Sequence, residues 1–160
     1  MISMPVFANS VVENYIPNAQ KVGEGRLTYL VWDVYDATLF APNGNWQSEK
    51  PYALKLSYLR DISGKDIADT SAQKIRKQGF SDEIKLATWH AQMKDIFPDV
   101  TQGTEIVGVL TRDGLTKFYK DGQNIGAIND RDFGDLFFKI WLGEDTAIPS
   151  LRKQLLGQSG

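Results

Sequence analysis

The sequence predicts an α+β domain built on a largely antiparallel sheet, with helices laid over one face. Three observations carry that reading. Extended patterns come first, two helical patterns follow, and the order then repeats without strict strand–helix alternation. The later extended segments are short and joined by Asp-Gly turns, which is hairpin chemistry. The helical segments carry stripes of apolar residues three and four apart, closed by Gly or Pro.

Residues 22–40, "VGEGRLTYLVWDVYDATLF", open the pattern. Tyr29, Val31, Tyr35 and Leu39 share one parity, and Leu30, Trp32, Val34 and Phe40 share the other. With both faces mostly apolar, this is either a central strand covered on both sides or two strands bent near Asp33. "APNGNW" ends it with Pro42 and Asn43-Gly44. "YALKLSYL" alternates, with Leu54, Leu56 and Tyr58 on one face and Lys55 and Ser57 on the other.

Ser63 then precedes a helix whose Ile67, Ser71 and Ile75 recur every four residues, with Gly79 past its end. Ser81 is the expected N-cap of the next helix, and Asp82 and Glu83 suit its dipole. Leu86, Trp89, Met93 and Ile96 form its stripe, and Pro98 stops it. "EIVGVLT", "LTKFY" and "NIGAI" make a three-stranded meander turned by "RDG" and "KDGQ". Asp130 or Asn129 caps a helix that faces Phe133, Phe137, Ile140 and Trp141 inward and ends at Gly143. Pro149 opens a short last helix with Leu151, Leu155 and Leu156 inward.

A chain of 160 residues, 42% hydrophobic and 24% charged, fits one globular domain with a real core. Its net charge of −2, with acids and bases interspersed, lacks the concentrated basic field of a nucleic-acid binder. Lys74, Arg76, Lys77, Arg152 and Lys153 read as solvated helix faces. With no cysteine there is no disulfide framework, thiolate metal site or Cys nucleophile. No run approaches the roughly 18 apolar residues of a membrane span. Val6-Phe7-Ala8 before Asn9 ends like a secretory cleavage site but lacks the basic and apolar regions that should precede it. It is either the remnant of a trimmed export signal or a chance match.

Catalytic patterns are scarce: there is no Gly-x-Ser-x-Gly, phosphate loop or His-Glu-x-x-His. His90, the single histidine, reads as a structural residue beside Trp89. "KDGQNIGAINDRD" lacks the spacing and terminal Glu of a calcium loop, so it reads as a hairpin turn followed by a helix cap. Gly23 and Gly25 before Arg26 precede a strand, where a dinucleotide fingerprint needs a helix. On its residues alone, Arg26 is a strand-edge cation that reaches solvent or pairs with a carboxylate.

Taken together, "GEGRLTYLVWDVYDATLFAP", "YALKLSYLRDISGKDI", "FPDV", "FYKDGQNIGAINDRDFGDLFFKIWLG" and "PSLRKQLLG" resemble the bacterial chalcone-isomerase-like proteins. The resemblance implies the chalcone isomerase fold, an open-faced β-sandwich with a ligand cleft between a long antiparallel sheet and its helices. It implies that Arg26 holds the position of the arginine that stabilises the anionic nucleophile in true isomerases. The family's strand Thr falls near Tyr35 and Asp36, its Tyr at Ile67, its helix Asn at about Lys74, and its Thr-Ser pair at about Lys139 and Ile140. Most of the polar catalytic set is therefore replaced. Non-catalytic members of the superfamily bind fatty acids through the same Arg and a nearby Tyr, which makes Arg26, Tyr35 and Tyr29 the expected ligand-binding residues.

The resulting expectations are an N-terminal segment over residues 1–21, with a signal-peptide remnant at 1–8, and a chalcone-isomerase-like domain over 22–157. The expected function is non-catalytic binding of a small amphipathic anion such as a fatty acid in an apolar cleft. The alternative is an isomerase, an intramolecular lyase acting on an enone or phenolic substrate; a protein-interaction module is the third reading. No cofactor, metal, nucleic acid or transmembrane segment is expected, and the expected location is the periplasm, with the cytoplasm as the alternative.

Overall fold

The computed structural model describes residues 6–49 and 51–158. Six strands follow one another across a single sheet in chain order, every neighbouring pair antiparallel. They are β1 (Ala19–Tyr29), β2 (Trp32–Pro42), β3 (Tyr52–Tyr58), β4 (Glu105–Leu110), β5 (Thr116–Lys120) and β6 (Gln123–Ile128). The helices are α1 (Val6–Tyr15), α2 (Gly64–Lys77), α3 (Glu83–Ile96), α4 (Arg131–Leu142) and α5 (Pro149–Leu155). This is the open antiparallel sheet with helices that the sequence predicts.

The long apolar stretch is two strands. The chain reverses at Leu30-Val31, two to three residues before Asp33, with Tyr29 paired to Trp32. Parity then sorts the side chains. Tyr35, Ala37, Leu39 and Ala41 of β2, with Leu54 and Leu56 of β3, join the core that holds α2 to α5. Phe40, Ala53, Val107, Val109 and Tyr119 point the other way, where α1 covers them with Val11, Val12 and Ile16. Helices thus lie on both faces, four on one and α1 on the other. The sign of this in the sequence is "EIVGVL", in which both parities are apolar and every residue of β4 is buried.

Caps follow local chemistry. Ser63 accepts from the Asp66 amide to start α2, and Gly79, at φ +95°, lies just past its end. The cap of α3 is Asp82, whose carboxylate accepts from the Lys85 amide, and not the expected Ser81. A carboxylate one residue later serves equally well, and its charge also favours the helix N-terminus. Asp130 caps α4 by accepting from the Asp132 amide. Asp121 and Gly122, both at positive φ, make the β5–β6 turn.

Gly23 and Gly25 have a packing reason. A Cβ at Gly23 would overlap the carbonyl of Gln154, and one at Gly25 would overlap the Gln154 side chain. Without those atoms α5 lies directly on β1. The signal-remnant expectation at residues 1–8 falls partly outside the described residues, which begin at 6 within α1.

Candidate functional site

Between the sheet and helices α2 and α4 the core opens into a cavity of about 560 Å³. At the ~30 Å³ a liquid water occupies, that is room for on the order of eighteen waters. Close-packed interiors do not keep such a void by accident of packing. The volume lies within the range of small-molecule sites, roughly 300–1,000 Å³. Leu54, Leu56, Ile106 and Phe118 form its floor on the sheet, while Ile67, Phe137 and Trp141 wall it from the helices.

Tyr35 is the central polar group. The β2 register sets it between Leu27 of β1 and Tyr58 of β3, and its ring meets Tyr58 edge-on at 5.7 Å between centroids. The Trp141 indole N–H of α4 donates to the Tyr35 hydroxyl oxygen at 2.8 Å, in a buried contact. Indole nitrogen can only donate, so the Tyr35 oxygen is the acceptor and its own hydrogen remains free to donate elsewhere. No protein acceptor takes that hydrogen among the described residues. Burial pushes the phenol up to about 12, partly opposed by the Trp141 hydrogen bond. The hydroxyl therefore stays protonated at neutral pH and serves as a donor. Burial, with Tyr35 alongside, also raises Tyr58.

Polar groups otherwise gather at the α2 rim, where Asp66, Thr70, Gln73 and Lys74 line the cavity. Ser71 also lines it, but its hydroxyl donates to the Ile67 carbonyl at 2.8 Å. Asp66 and Lys74 are eight residues apart, about 12 Å along the helix, so the acid and the cation mark opposite ends of the rim. Lys74 makes no ion pair among the described residues, and it is the cation among those lining the cavity.

The three residues expected to bind ligand do not come together. Tyr35 and Tyr29 line the cavity, Tyr35 deep within it and Tyr29 exposed at its mouth. Arg26 does not line it. It stands on the opposite side of β1 from Leu27, across from Asp36. Its Nε donates to Asp36 Oδ1 at 2.7 Å and its Nη2 to Asp36 Oδ2 at 3.1 Å, a two-pronged pair, while Nη1 reaches Asp33 Oδ2 at 3.3 Å. The pleat is the reason: neighbours on a strand face opposite ways, so Leu27 and Arg26 cannot share a face. This matches the reading of Arg26 from its residues alone, a strand-edge cation paired with carboxylates.

Several positions carried over from the isomerases do converge on the cavity: Ile67, Lys74 and Ile140, with Tyr35 beside them. Lys74, read from the sequence as part of a solvated face, is the polar residue that reading missed. Ile67, Ser71 and Lys74 follow i, i+4, i+7 spacing, so the stripe that ran to Ile75 also admits Lys74 at its edge. His90 lies elsewhere, with Nε2 2.7 Å from Asp69 Oδ1. Hydrogen bonds from Lys65 and His90 hold that carboxyl below its usual range. Asp121 accepts from the Glu105 amide, and Asn124 from the Gly126 amide, so these turn residues are occupied locally. Among the described residues no cluster of three or more His, Asp or Glu is placed to hold a metal, and no helix is long and apolar enough to cross a membrane.

A meandering antiparallel sheet, helices across it and one apolar cavity between them define an open-sheet α+β protein with an internal cleft. The chain belongs to the chalcone isomerase-like family, whose model matches residues 22–157. It is 27% identical over 141 residues to an uncharacterized protein of Haemophilus influenzae, spanning 88% of this chain and 69% of that one. Its fold is similar to the crystal structure of a fatty-acid binding protein of Arabidopsis thaliana, with a TM-score of 0.68 and 13% identity. That match covers 88% of this chain and 87% of the plant chain.

Proposed function

We propose that the protein is a non-catalytic binder of an amphipathic carboxylate such as a fatty acid, with the tail in the cavity and the headgroup toward Tyr35 and the Lys74 end of the rim. The observation that carries this reading is an apolar cavity lined by two buried tyrosines, Tyr35 and Tyr58, whose hydroxyl hydrogens have no protein acceptor among the described residues. Tyr29 closes over the mouth, and Arg26, which does not touch the ligand, braces the β1–β2 hairpin through Asp36 and Asp33. The fatty-acid binding neighbour supports the ligand class, and replacement of most of the isomerase polar set by Ile67, Lys74, Lys139 and Ile140 supports the absence of catalysis. Each methylene buried contributes about 0.8 kcal/mol, and a hydrogen bond to the carboxylate about 1.5–3 kcal/mol. Ordering costs of several kcal/mol offset part of this, which leaves micromolar affinity within reach.

The test is calorimetric titration of a delipidated sample with dodecanoate, beside native mass spectrometry for co-purified ligand. Tyr35→Phe keeps the ring and removes the donor, so affinity falls by about tenfold or more. Unchanged affinity in Tyr35→Phe would remove Tyr35 from the site, and turnover of an enone panel would overturn the non-catalytic reading. The cleavage-like Val6-Phe7-Ala8 supports a periplasmic location, which fractionation of the native host checks.

A further inference from the structure

The β1–β2 hairpin ends in four consecutive large apolar residues that the fold leaves in solvent. Tyr29 is 66% exposed, Leu30 78%, Val31 85% and Trp32 54%. The turn itself is at odds with local chemistry. Tyr29 pairs with Trp32, so Leu30 and Val31 form a two-residue loop, and Leu30 adopts φ +57°. Two-residue loops of this kind place Gly or Asn where φ is positive, and a bulky side chain there loses stability. Packing offers Leu30 no return, because most of its surface faces water. A strained position kept without a burial gain is the mark of a functional site.

We propose that this hairpin tip is a lipid-bilayer docking element, with Leu30 and Val31 entering the acyl boundary and Tyr29 and Trp32 at headgroup level. Flanking aromatics on an apolar tip are the arrangement interfaces favour, since their rings have an apolar body and a polar edge. The charges agree. The Arg60 guanidinium lies 4.5 Å from the centre of the Trp32 ring, which sets a cation at headgroup depth. The hairpin's own acids are already engaged: Asp36 by Arg26, and Asp33 by Arg26 and the Thr28 hydroxyl. The tip also adjoins the cavity, because Tyr29 belongs to both. A docked tip therefore sets the cavity mouth against the bilayer, where an apolar ligand can pass without crossing water. Only this transfer step rests on the ligand-binding reading above; docking does not.

The test uses ligand-free vesicles of phosphatidylcholine, with and without phosphatidylglycerol, and brominated lipids as quenchers. Trp89 and Trp141 are buried, and the partly buried Trp46 lies past Pro42 at the far end of β2 from the tip, so contact quenching of the emission reports chiefly on Trp32. Wild-type protein is expected to partition to vesicles and be quenched. Leu30→Gly is expected to raise the melting temperature, lower partitioning at least about tenfold, and leave dodecanoate affinity in solution unchanged. Val31→Asp should abolish partitioning in a protein that remains folded. Docking is overturned if wild-type protein ignores both vesicle types, if Leu30→Gly lowers the melting temperature, or if both variants partition like wild type. Capture of a protein partner by the tip without vesicle binding overturns it too. Loss of dodecanoate binding with vesicle docking intact counts only against the ligand reading.

Discussion

Ser71→Leu separates a cavity maintained for a ligand from a simple packing fault. Ser71 is 7% exposed, its side chain lines the cavity, and its hydroxyl bonds back to the Ile67 carbonyl within α2. Leucine adds about three carbons into empty apolar space, a gain of roughly 2–3 kcal/mol at about 0.8 kcal/mol per methylene. The lost hydroxyl bond removes about 0.5–1.5 kcal/mol. Because serine is the poorer helix former, a few tenths return. The expected net is a stabilisation of about 1–2 kcal/mol, or roughly 2–8 °C in melting temperature for a domain of this size. The same three carbons exclude about three ligand methylenes, so dodecanoate affinity should fall by about two orders of magnitude. Scanning calorimetry and titration on one preparation read both quantities. A lower melting temperature would mean that the site is already filled and overpacked. Higher stability with unchanged affinity would show that the ligand does not occupy this cavity.

Two further perturbations test the surroundings. Arg26→Ala should lower the melting temperature slightly, less so in high salt, and leave fatty-acid affinity unchanged, since the pair with Asp36 is half-exposed and turned from the cavity; a loss of affinity without loss of stability would return Arg26 to the ligand. Glu105 is buried with one carboxylate oxygen unpartnered among the described residues, and burial raises its pKa. A raised carboxyl pKa means that the folded state holds the proton more tightly than the unfolded chain, so stability is lost as pH rises from the unfolded value through the folded one. Glu105→Gln should therefore raise the melting temperature at pH 7 relative to wild type, with the gain shrinking toward pH 4, and a gain independent of pH would refute this.

Much of the fold was legible because the informative residues act locally. Ser63, Asp130, Gly79 and the Asp121-Gly122 pair determine caps and turns within a few residues of themselves, and Leu54, Leu56 and Tyr58 show their face by alternation. The layer formed by α1 was not legible, because "VFANSVVENY" mixes β-branched and turn-prone residues of modest helix propensity. Its helix is held by the sheet face it covers. The site divided in the same way. Tyr35 could be selected from its strand, but Arg26 and Tyr35 lie nine residues apart on paired strands. Whether they share a face depends on the shift near Leu27 and Thr28, where the register skips Val34. Lys74 stayed hidden because a half-buried lysine on a helix edge looks, in sequence, like any solvated one.

The contact of α5 with Gly23 and Gly25 has a consequence for how the molecule is assembled. Each strand in the meander pairs with its neighbour in sequence, and all but one of these pairings are hairpins; β3 and β4, separated by α2 and α3, pair across roughly fifty residues. The docking of α5 on β1 joins positions roughly 130 residues apart, a closure that costs about 4 kcal/mol in chain entropy if made before the rest is ordered. It is therefore favoured late, once the intervening strands have already brought the ends together. The strand it secures carries Leu27 and Tyr29, so the floor of the cleft, which needs only the shorter β3–β4 closure, is built before its entrance is finished.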